Sequence, residues 1–378
     1  MNAKPQVCVV SQPKSTSNLG GYITDWCRGR GYPVAAVNCR TAFWPRAWPA
    51  LLAFHPNRDR WFRRRWEIGF YSPAAWDRHT RYNGRILDRV IKPGAKILQV
   101  AKEYYPHPRY QEMEYCVFIN YNARLSMTDG FTPWRPAPAR EAEFIAREER
   151  LYRHAAHVFT CGEYLKRSLV EEYGARPERV TAVGNGVNPF YLQNPPPPFA
   201  DRFSGKLLFV GWDFNLKGGP DVLAAFPLVK AKHPDLELVI VGPDEAQRAA
   251  QGAKGAAPGI QWIGPERDRQ KLLAHYRQAD LFVMPSLRDS YGFVFLEAMS
   301  QGLPCIGADL NGMPEIIADG KTGYIVPARS PERLAEAICR YYAEPGHKRR
   351  MAEQTHARLL DHFTWDVVMS KVCAVMQI

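Results

Sequence analysis

The sequence lacks cysteine pairs with any recognisable spacing. Its 378 residues include eight cysteines, and none of them forms a C-x-x-C pair. They are Cys8, Cys27, Cys39, Cys116, Cys161, Cys305, Cys339 and Cys373. Scattered cysteines argue against a disulfide-stabilised secreted domain and against a zinc site. We therefore expect reduced, mostly buried thiols and a cytoplasmic protein.

Long apolar runs and metal-binding acidic motifs are also absent. No stretch approaches the roughly 18 apolar residues of a membrane span. The first apolar run, at 6–10, is too short for the apolar region of a signal peptide. No Asp-x-Asp motif is present to hold a divalent ion. We expect a chain that neither spans a membrane nor enters the secretory route, and that uses no metal and no cofactor.

Acidic residues are outnumbered by basic ones in the first half only. Residues 1–199 contain 29 Lys and Arg against 17 Asp and Glu, whereas residues 200–378 contain 21 of each. The net charge of +12 therefore belongs entirely to the first half. Between Arg28 and Arg65, nine arginines are opposed by one acidic residue, Asp59. Such an excess favours an acidic partner, or simply keeps the protein soluble.

The length and the composition predict two α/β domains. A chain of 378 residues with 46% hydrophobic residues can build two cores of ordinary size. Apolar, strand-like runs alternate with helical stretches, which is typical of parallel sheets with crossover helices. The candidate strands are 7–10, 33–38, 97–100, 115–119, 157–160, 206–211, 236–242, 260–264 and 281–284, and a further run at 179–188 ends in a glycine loop.

The proline run at 195–198 marks the predicted domain boundary, because consecutive prolines form a stiff, extended spacer. We therefore predict a first domain at 1–190, a linker at 191–200, a second domain at 201–360 and a terminal helix at 361–378. The sequence contains no internal repeats.

Two carboxylates eight residues apart, Asp289 and Glu297, flank a glycine turn and a predicted helix start. The run 280–286 before them resembles a buried strand that Pro-Ser terminates. If the helix opens at 290–293, free backbone N–H groups and the positive helix end face the loop, where phosphate binds well. Carboxylates accept hydrogen bonds from hydroxyl groups. The segment therefore predicts a site for a ligand that carries both phosphate and hydroxyls, such as a sugar nucleotide.

This segment resembles the D/E-x7-E signature of the retaining glycosyltransferases of family 4, the glycosyl transferases group 1. Their GT-B fold has two Rossmann-like, doubly wound domains facing a cleft. The resemblance continues in Gly302-Leu-Pro-Cys-Ile, in Gly312-Met-Pro-Glu and in the loop Gly211-Trp-Asp-Phe-Asn-Leu-Lys217-Gly-Gly, and it covers about residues 150–370. It implies an acceptor-binding first domain, a donor-binding second domain and a C-terminal helix at 361–378 that returns to the first domain.

The resemblance also implies roles for individual residues. Asp289 would contact the donor sugar, Glu297 the ribose and Lys217 the diphosphate. The implied donor-binding residues are Gly20, Gly21, Gly211, Lys217, Gly218, Asp289, Ser290, Tyr291, Gly292, Phe293 and Glu297.

The sequence departs from the family pattern at three positions. Many relatives carry Arg or Lys five residues or one residue before the loop lysine, where this chain has Trp212 and Leu216. A second cation for the phosphates is therefore missing or comes from elsewhere. The family usually has Glu at the position of Asp289, whose carboxylate is one methylene shorter, and Asp before Ser-x-Gly is also a common helix cap.

Two further candidates have ordinary alternatives. Gly20 and Gly21 resemble the glycine loop beneath the donor sugar, although a glycine pair also suits any loop. Asp129 lies near the point where relatives often place a His or Asp at the reacting bond, and with Lys217 and Asp289 it completes the implied catalytic set. A turn at Asp129-Gly130 is the simpler explanation for that residue.

The implied reaction is transfer of a hexose-type sugar from a UDP-, GDP- or other nucleotide sugar to a hydroxyl acceptor, with retention and without metal. The acceptor would be a glycan, a lipid-linked saccharide or a glycosylated metabolite, as in polysaccharide biosynthesis. A non-catalytic nucleotide-sugar binding protein and a phosphorylase-like enzyme of the same fold are the alternatives. His154 and His157 have metal-ligand spacing, but no third ligand is nearby and we assign them no metal.

The segment 44–66 interleaves arginines with six large aromatic residues. This composition suits an anionic membrane surface on the cytoplasmic side or an acidic acceptor, and nucleic acid is the less favoured partner. A core helix with a charged outer face is the alternative.

If the arginines bind anionic lipid, the protein will cosediment with acidic phospholipid vesicles at low salt and dissociate as salt increases, because salt screens exposed charges. Each arginine near the headgroups contributes on the order of 1 kcal/mol. Replacing Arg58, Arg60, Arg63, Arg64 and Arg65 by Ser should therefore abolish sedimentation. Neutral phosphatidylcholine vesicles are the control, and a wild-type protein that ignores acidic vesicles at low salt contradicts the membrane hypothesis.

Overall fold

The structure is a computed structural model that describes residues 4–11, 18–38, 72–100, 102–128, 137–343 and 346–378. The chain divides into two compact units. The first comprises Met1–Gly184 and Val368–Ile378, and the second comprises Asn185–Val367. Segment 44–66 and Asp129 lie outside the described residues.

In the first unit, the described residues form a six-stranded parallel sheet in the order β2-β1-β3-β4-β5-β6. Strands β1 and β4 are buried along their whole length, as expected where helices cover both faces of a parallel sheet. Five strands match the candidate runs between residues 7 and 160, and the sixth comes from the run at 179–188. The strands are β1 Val7–Ser11, β2 Val34–Asn38, β3 Lys96–Val100, β4 Tyr115–Ile119, β5 His157–Thr160 and β6 Val180–Ala182.

The crossover helices of the first unit bury one face each. Helix α2, Pro73–Val90, shows why they begin where they do: Ser72 accepts a hydrogen bond from the backbone N–H of Ala75 at 3.1 Å, and Pro73 occupies the first helical position. Trp76, Thr80 and Leu87 then lie on its buried face at helical spacing. The described helices are α1 Leu19–Gly29, α2 Pro73–Val90, α3 Ala123–Thr128, α4 Pro138–His154 and α5 Glu163–Tyr173, with short 3₁₀ turns at Tyr110–Glu112 and Pro177–Arg179.

The second unit repeats this architecture with a parallel sheet in the order β12-β11-β10-β7-β8-β9. Strand β7 lies between β8 and β10, so the chain first proceeds outward on one side of β7 and then on the other. The strands are β7 Lys206–Val210, β8 Glu237–Val241, β9 Ile260–Gly264, β10 Leu281–Met284, β11 Cys305–Ala308 and β12 Gly323–Val326.

The second unit also contains the longer helices of the C-terminal region. Its described helices are α6 Pro189–Gln193, α7 Gly219–Lys232, α8 Glu245–Ala249, α9 Gly252–Gly255, α10 Arg269–Gln278, α11 Phe293–Ser300, α12 Met313–Ile316, α13 Pro331–Ala343 and α14 His347–His362. Helix α15, Trp365–Met376, begins in the second unit and belongs to the first from Val368 onwards. No helix in the described ranges is both long and apolar enough to cross a membrane.

The proline run lies within the second unit, whose first residue is Asn185. Arg277 donates from its guanidinium to the carbonyl oxygens of Asn194 at 3.1 Å and Pro195 at 2.7 Å. Phe199 packs so closely on Gly302 that a Cβ there would lie 2.1 Å from its ring. The chain therefore enters this unit at Asn185, ahead of the segment predicted to be a linker.

The seven cysteines in the described ranges are free thiols, and all of them are buried. Burial raises the pKa of the Cys8 thiol to about 11 and that of Cys27 to about 12. These two thiols therefore stay protonated at neutral pH and pack as small apolar side chains.

Asp280 joins three segments of the second unit at the start of β10. Its carboxylate accepts the backbone N–H groups of Ser204 at 2.8 Å and Gly205 at 2.7 Å, and the hydroxyl of Tyr342 at 3.2 Å. The ammonium of Lys348 lies 2.5 Å from Oδ1 of Asp280, whose side chain is fully buried. The backbone N–H groups, the tyrosine hydroxyl and the ammonium thus tie three segments of the second unit to one carboxylate.

Removing either partner of this buried ion pair should strongly destabilise the second unit. Lys348→Met leaves the Asp280 carboxylate uncompensated, and we expect a loss of about 3–5 kcal/mol in the apparent free energy of unfolding in urea. Asp309→Ala is the control, because this exposed carboxylate accepts a single backbone N–H, that of Ala328. The control should lose about 1 kcal/mol. Equal losses in the two variants would contradict the assignment.

Candidate functional site

The candidate site of the second unit lies at the carboxyl ends of β7 and β10. The two strands are neighbours in the sheet, with Leu281 opposite Leu207 and Phe282 opposite Leu208. Helical crossovers leave β7 and β10 in opposite directions, so this is the point where the strand order reverses. Open α/β sheets bind ligands in the crevice that forms there.

The loop after β7, residues 211–218, is folded tightly on itself. Asp213 accepts the backbone N–H of Leu216 through its side chain at 3.1 Å and that of Lys217 through its carbonyl at 2.9 Å. Gly218 has a φ of 77°, and a Cβ there would lie 2.1 Å from the carbonyl oxygen of Pro285. Only glycine fits at this position. The turn therefore presents Lys217 and brings the loop against the chain that follows β10.

Hydrogen bonds join this loop to the loop after β10. The backbone N–H of Leu287 donates to the carbonyl oxygen of Leu216 at 2.9 Å, and the Ser286 hydroxyl donates to the same oxygen at 3.2 Å. Two loops that lie about 70 residues apart in the sequence therefore form one local structure, and side chains from both are held in register.

Lys217 and Asp289 meet in this structure. The ammonium nitrogen Nζ of Lys217 lies 2.7 Å from Oδ2 of Asp289 and donates to the carbonyl oxygen of Arg288 at 3.1 Å. The two side chains are 22% and 12% exposed, so the pair is partly shielded while a ligand can still reach it. The predicted diphosphate-binding cation and the predicted sugar-binding carboxylate are thus direct neighbours.

The start of helix α11 differs from the expectation. The helix begins at Phe293, after Gly292 with a φ of 75°. Oδ1 of Asp289 accepts the backbone N–H of Gly292 at 2.8 Å and that of Tyr291 at 3.3 Å. These two N–H groups were expected to be free for phosphate, but Asp289 occupies them because its short side chain folds back onto the turn. Asp289 thus holds the turn that precedes the helix, whereas the N-cap position is Gly292 and has no side-chain cap hydrogen bond.

Glu297 lies on α11 and is held by two tyrosines. Oε2 accepts the hydroxyl of Tyr191 at 3.1 Å and that of Tyr276 at 3.0 Å. Among the described residues none donates to Oε1. Burial raises the pKa of the Glu297 carboxyl to about 7, although the two tyrosine hydroxyls and Arg269 oppose the shift. The assignment of Glu297 to ribose stays a prediction.

The two tyrosines were missed by the sequence reasoning. Tyr191 lies 106 residues before Glu297 and Tyr276 lies 21 residues before it. The only signal was the apolar surroundings of Glu297, which required a polar partner without identifying one.

Gly20 and Gly21 lie in the first unit, at the start of α1. A Cβ on Gly20 would lie 2.3 Å from Cβ of Ser11, the last residue of β1, and one on Gly21 would lie 2.5 Å from the side-chain oxygen of Asn18. The two glycines therefore let α1 begin directly against the end of β1. Their role towards a donor stays a prediction, and Asp129 falls outside the described residues.

The two histidines with metal-ligand spacing have other partners. The ring of His157 is hydrogen-bonded to the hydroxyl of Thr181 at 2.8 Å, and that of His154 packs edge-on against Tyr110. No group of three His, Cys, Asp or Glu side chains suited to a metal ion occurs in the described part of the chain.

Residues 204–344 match the model of the family described as Glycosyl transferases group 1. D-inositol 3-phosphate glycosyltransferase of Jonesia denitrificans is 30% identical over 282 residues, which cover 68% of this chain and 63% of that protein. Glycogen synthase of Mycobacterium tuberculosis is 28% identical over 236 residues, which cover 61% of this chain and 56% of that protein. The chain thus spans only about half to three fifths of the length of these curated relatives.

Solved structures of similar fold cover the whole chain. A glycosyltransferase from Rickettsia africae superposes with a TM-score of 0.69 at 13% identity and covers 100% of this chain and 98% of its own. Sucrose-phosphate synthase from Thermosynechococcus elongatus has a TM-score of 0.69 at 14% identity and covers 99% and 98%. Such low identity establishes the fold alone, and the predicted GT-B fold with two Rossmann-like units is confirmed.

The raised pKa of Glu297 predicts a pH-dependent stability. The folded carboxyl holds its proton up to about pH 7, whereas the unfolded one loses it near its ordinary value of 4.5. Stability should therefore fall as the pH rises through this window, and the loss should be complete above pH 7. Glu297→Gln removes this loss, on the order of 2 kcal/mol.

The measurement is urea unfolding at pH 5 and pH 8. The exposed Glu336→Gln is the control, since it should follow the wild type at both pH values. If Glu297→Gln also shows the same pH difference as the wild type, the carboxyl does not titrate in this window.

Proposed function

We propose that the chain, whose residues 204–344 match the model of the glycosyl transferases group 1, transfers a hexose-type sugar from a nucleotide diphosphate sugar to a hydroxyl acceptor, with retention at the anomeric carbon. The acceptor is a glycan, a lipid-linked saccharide or a glycosylated metabolite. The enzyme needs no metal and no cofactor in this proposal, and it acts in the cytoplasm. Polysaccharide biosynthesis is the process that suits such a reaction.

The observation that carries the proposal is the Lys217 and Asp289 pair at the point where the strand order reverses. A cation and a carboxylate 2.7 Å apart match the two ends of the reacting bond, a diphosphate leaving group and a hydroxylated sugar. The bound diphosphate takes Asp289's place as the partner of Lys217, and Asp289 then accepts hydrogen bonds from sugar hydroxyls. Positioning and neutralisation of the leaving group supply the rate enhancement.

The chemical step is a same-face substitution. The bond between the anomeric carbon and the acceptor oxygen forms as the bond from that carbon to the phosphate oxygen breaks. The acceptor's proton passes to the departing phosphate, whose growing negative charge Lys217 stabilises. Because the leaving group itself accepts the proton, the step requires no separate enzymatic base, and attack from the same face explains retention.

Glu297 serves the nucleotide in this proposal. Tyr191 and Tyr276 both donate to Oε2, which holds the carboxyl in one orientation and leaves Oε1 to accept a ribose hydroxyl. Such a bond exists equally in the ground state and the transition state, so it contributes affinity for the donor rather than rate.

Turnover of a donor panel tests the proposal. UDP-glucose, UDP-N-acetylglucosamine and GDP-mannose are incubated with protein and mixed acceptors, with and without EDTA, and released nucleoside diphosphate is measured. Lys217→Ala should lower kcat/KM by 10²-fold or more because the developing charge loses its cation, while circular dichroism shows that the variant stays folded. EDTA should have no effect.

The exposed Lys321→Ala is the matched control and should retain wild-type activity. Nucleotide binding without turnover would favour a non-catalytic binding protein, and release that depends on inorganic phosphate would favour a phosphorylase. Full activity in Lys217→Ala, or loss of activity in EDTA, contradicts the proposed site.

A further inference from the structure

Trp212 is unlike the other tryptophans that the structure describes. Trp26 stacks on Tyr32, Trp76 packs against Tyr105, Trp262 packs against Phe214, and Trp365 lies against Gly186. Trp212 is 65% exposed, and within the described ranges no residue stacks on its ring or hydrogen-bonds to it. Most of the Trp212 surface is therefore open to a ligand.

The backbone that carries Trp212 is held on both sides. Before it, the N–H of Gly211 donates to the carbonyl oxygen of Val241 at 3.0 Å. After it, Phe214 is buried between Phe209 and Trp262, with ring centroids 5.3 and 5.1 Å away. A single exposed apolar side chain is ordinary on a protein surface. A large aromatic residue on an anchored turn at the carboxyl end of the central strand calls for an explanation.

Trp212 also adjoins the lysine of the candidate site. A Cβ on Gly211 would lie 2.9 Å from Cγ of Lys217, so the stem of the lysine passes directly over the residue before Trp212. Gly242, at the end of β8, approaches the same point, where a Cβ would lie 2.4 Å from the Gly211 carbonyl oxygen. Trp212 therefore directly follows the residue that the stem of Lys217 covers.

We propose that Trp212 is a stacking platform for a pyranose ring at the reacting end of the site. This inference rests on the proposed transferase function. An indole carries no positive charge, and its electron-rich face repels phosphate, so it does not replace a phosphate-binding cation. The same face attracts the C–H groups of an uncharged sugar ring, and its N–H donates to a sugar hydroxyl. The ring belongs either to the donor or to the acceptor.

Binding measurements on Trp212→Ala and Trp212→Phe separate these two sources. Calorimetry gives Kd for UDP, UDP-glucose, GDP and GDP-mannose, and titrations at saturating UDP give Kd for methyl α-D-glucopyranoside and methyl α-D-mannopyranoside. If the donor sugar stacks on Trp212, Trp212→Ala raises Kd for the nucleotide sugar about tenfold and leaves Kd for the nucleoside diphosphate unchanged. If the acceptor sugar stacks on Trp212, Trp212→Ala raises Kd for the methyl glycoside alone. Trp212→Phe retains a ring and should lose less in either case.

A spectroscopic signature accompanies the binding. An exposed indole covered by sugar shifts its emission to shorter wavelength, and Trp212→Phe removes this shift while the other tryptophans remain. Leu228→Ala, which truncates another exposed apolar side chain of the same unit, is the control and should bind like the wild type.

Each result has one meaning. If Trp212→Ala leaves the sugar affinities unchanged, or raises Kd for UDP and for UDP-glucose equally, the stacking proposal is wrong. The proposed transferase function is not affected by either result. A wild-type protein that binds none of the nucleotides or nucleotide sugars overturns both.

Discussion

The central position of β7 between β8 and β10 is the constraint on which the candidate site depends. Two parallel neighbours whose crossovers leave in opposite directions open a crevice at their carboxyl ends, because no crossover covers the gap between them. Gly218 allows the two loops beside this gap to approach each other. Its positive φ and its close approach to Pro285 bring the loop after β7 against the loop after β10. Lys217 can meet Asp289 only because the two backbones approach so closely.

The charged side chains of the candidate site are paired with one another or with hydrogen-bond donors. Lys217 is paired with Asp289, and Asp289 also satisfies two backbone N–H groups at the start of α11. Glu297 has two hydroxyl donors and a pKa raised by burial to about 7. A ligand with a diphosphate and hydroxyl groups would therefore exchange partners with groups already held in place, which limits the loss of conformational freedom on binding.

Paired charges also explain how an acidic and a basic side chain can lie side by side in a largely shielded loop. A lone charge there would lack compensation, whereas a pair with backbone hydrogen bonds on both members is tolerated. Asp280 and Lys348 form a second shielded ion pair at the opposite end of β10, and this pair joins segments of the second unit. The two pairs differ in access to solvent: the Asp280 side chain is fully buried, and that of Asp289 is 12% exposed.

The sequence by itself determined the fold class, nearly all strand positions, and the carboxyl-end loops that contain Lys217 and Asp289. These features follow from local patterns, since apolar runs and glycine turns depend on near neighbours in the chain. Only the tertiary structure decided that Lys217 bonds Asp289 from 72 residues away, that Asp289 occupies two N–H groups expected to be free, and that Tyr191 and Tyr276 hold Glu297. It likewise assigned the proline run to the second unit through bonds from Arg277. Contacts of this kind depend on strand order and on the packing of distant segments, which no local pattern encodes.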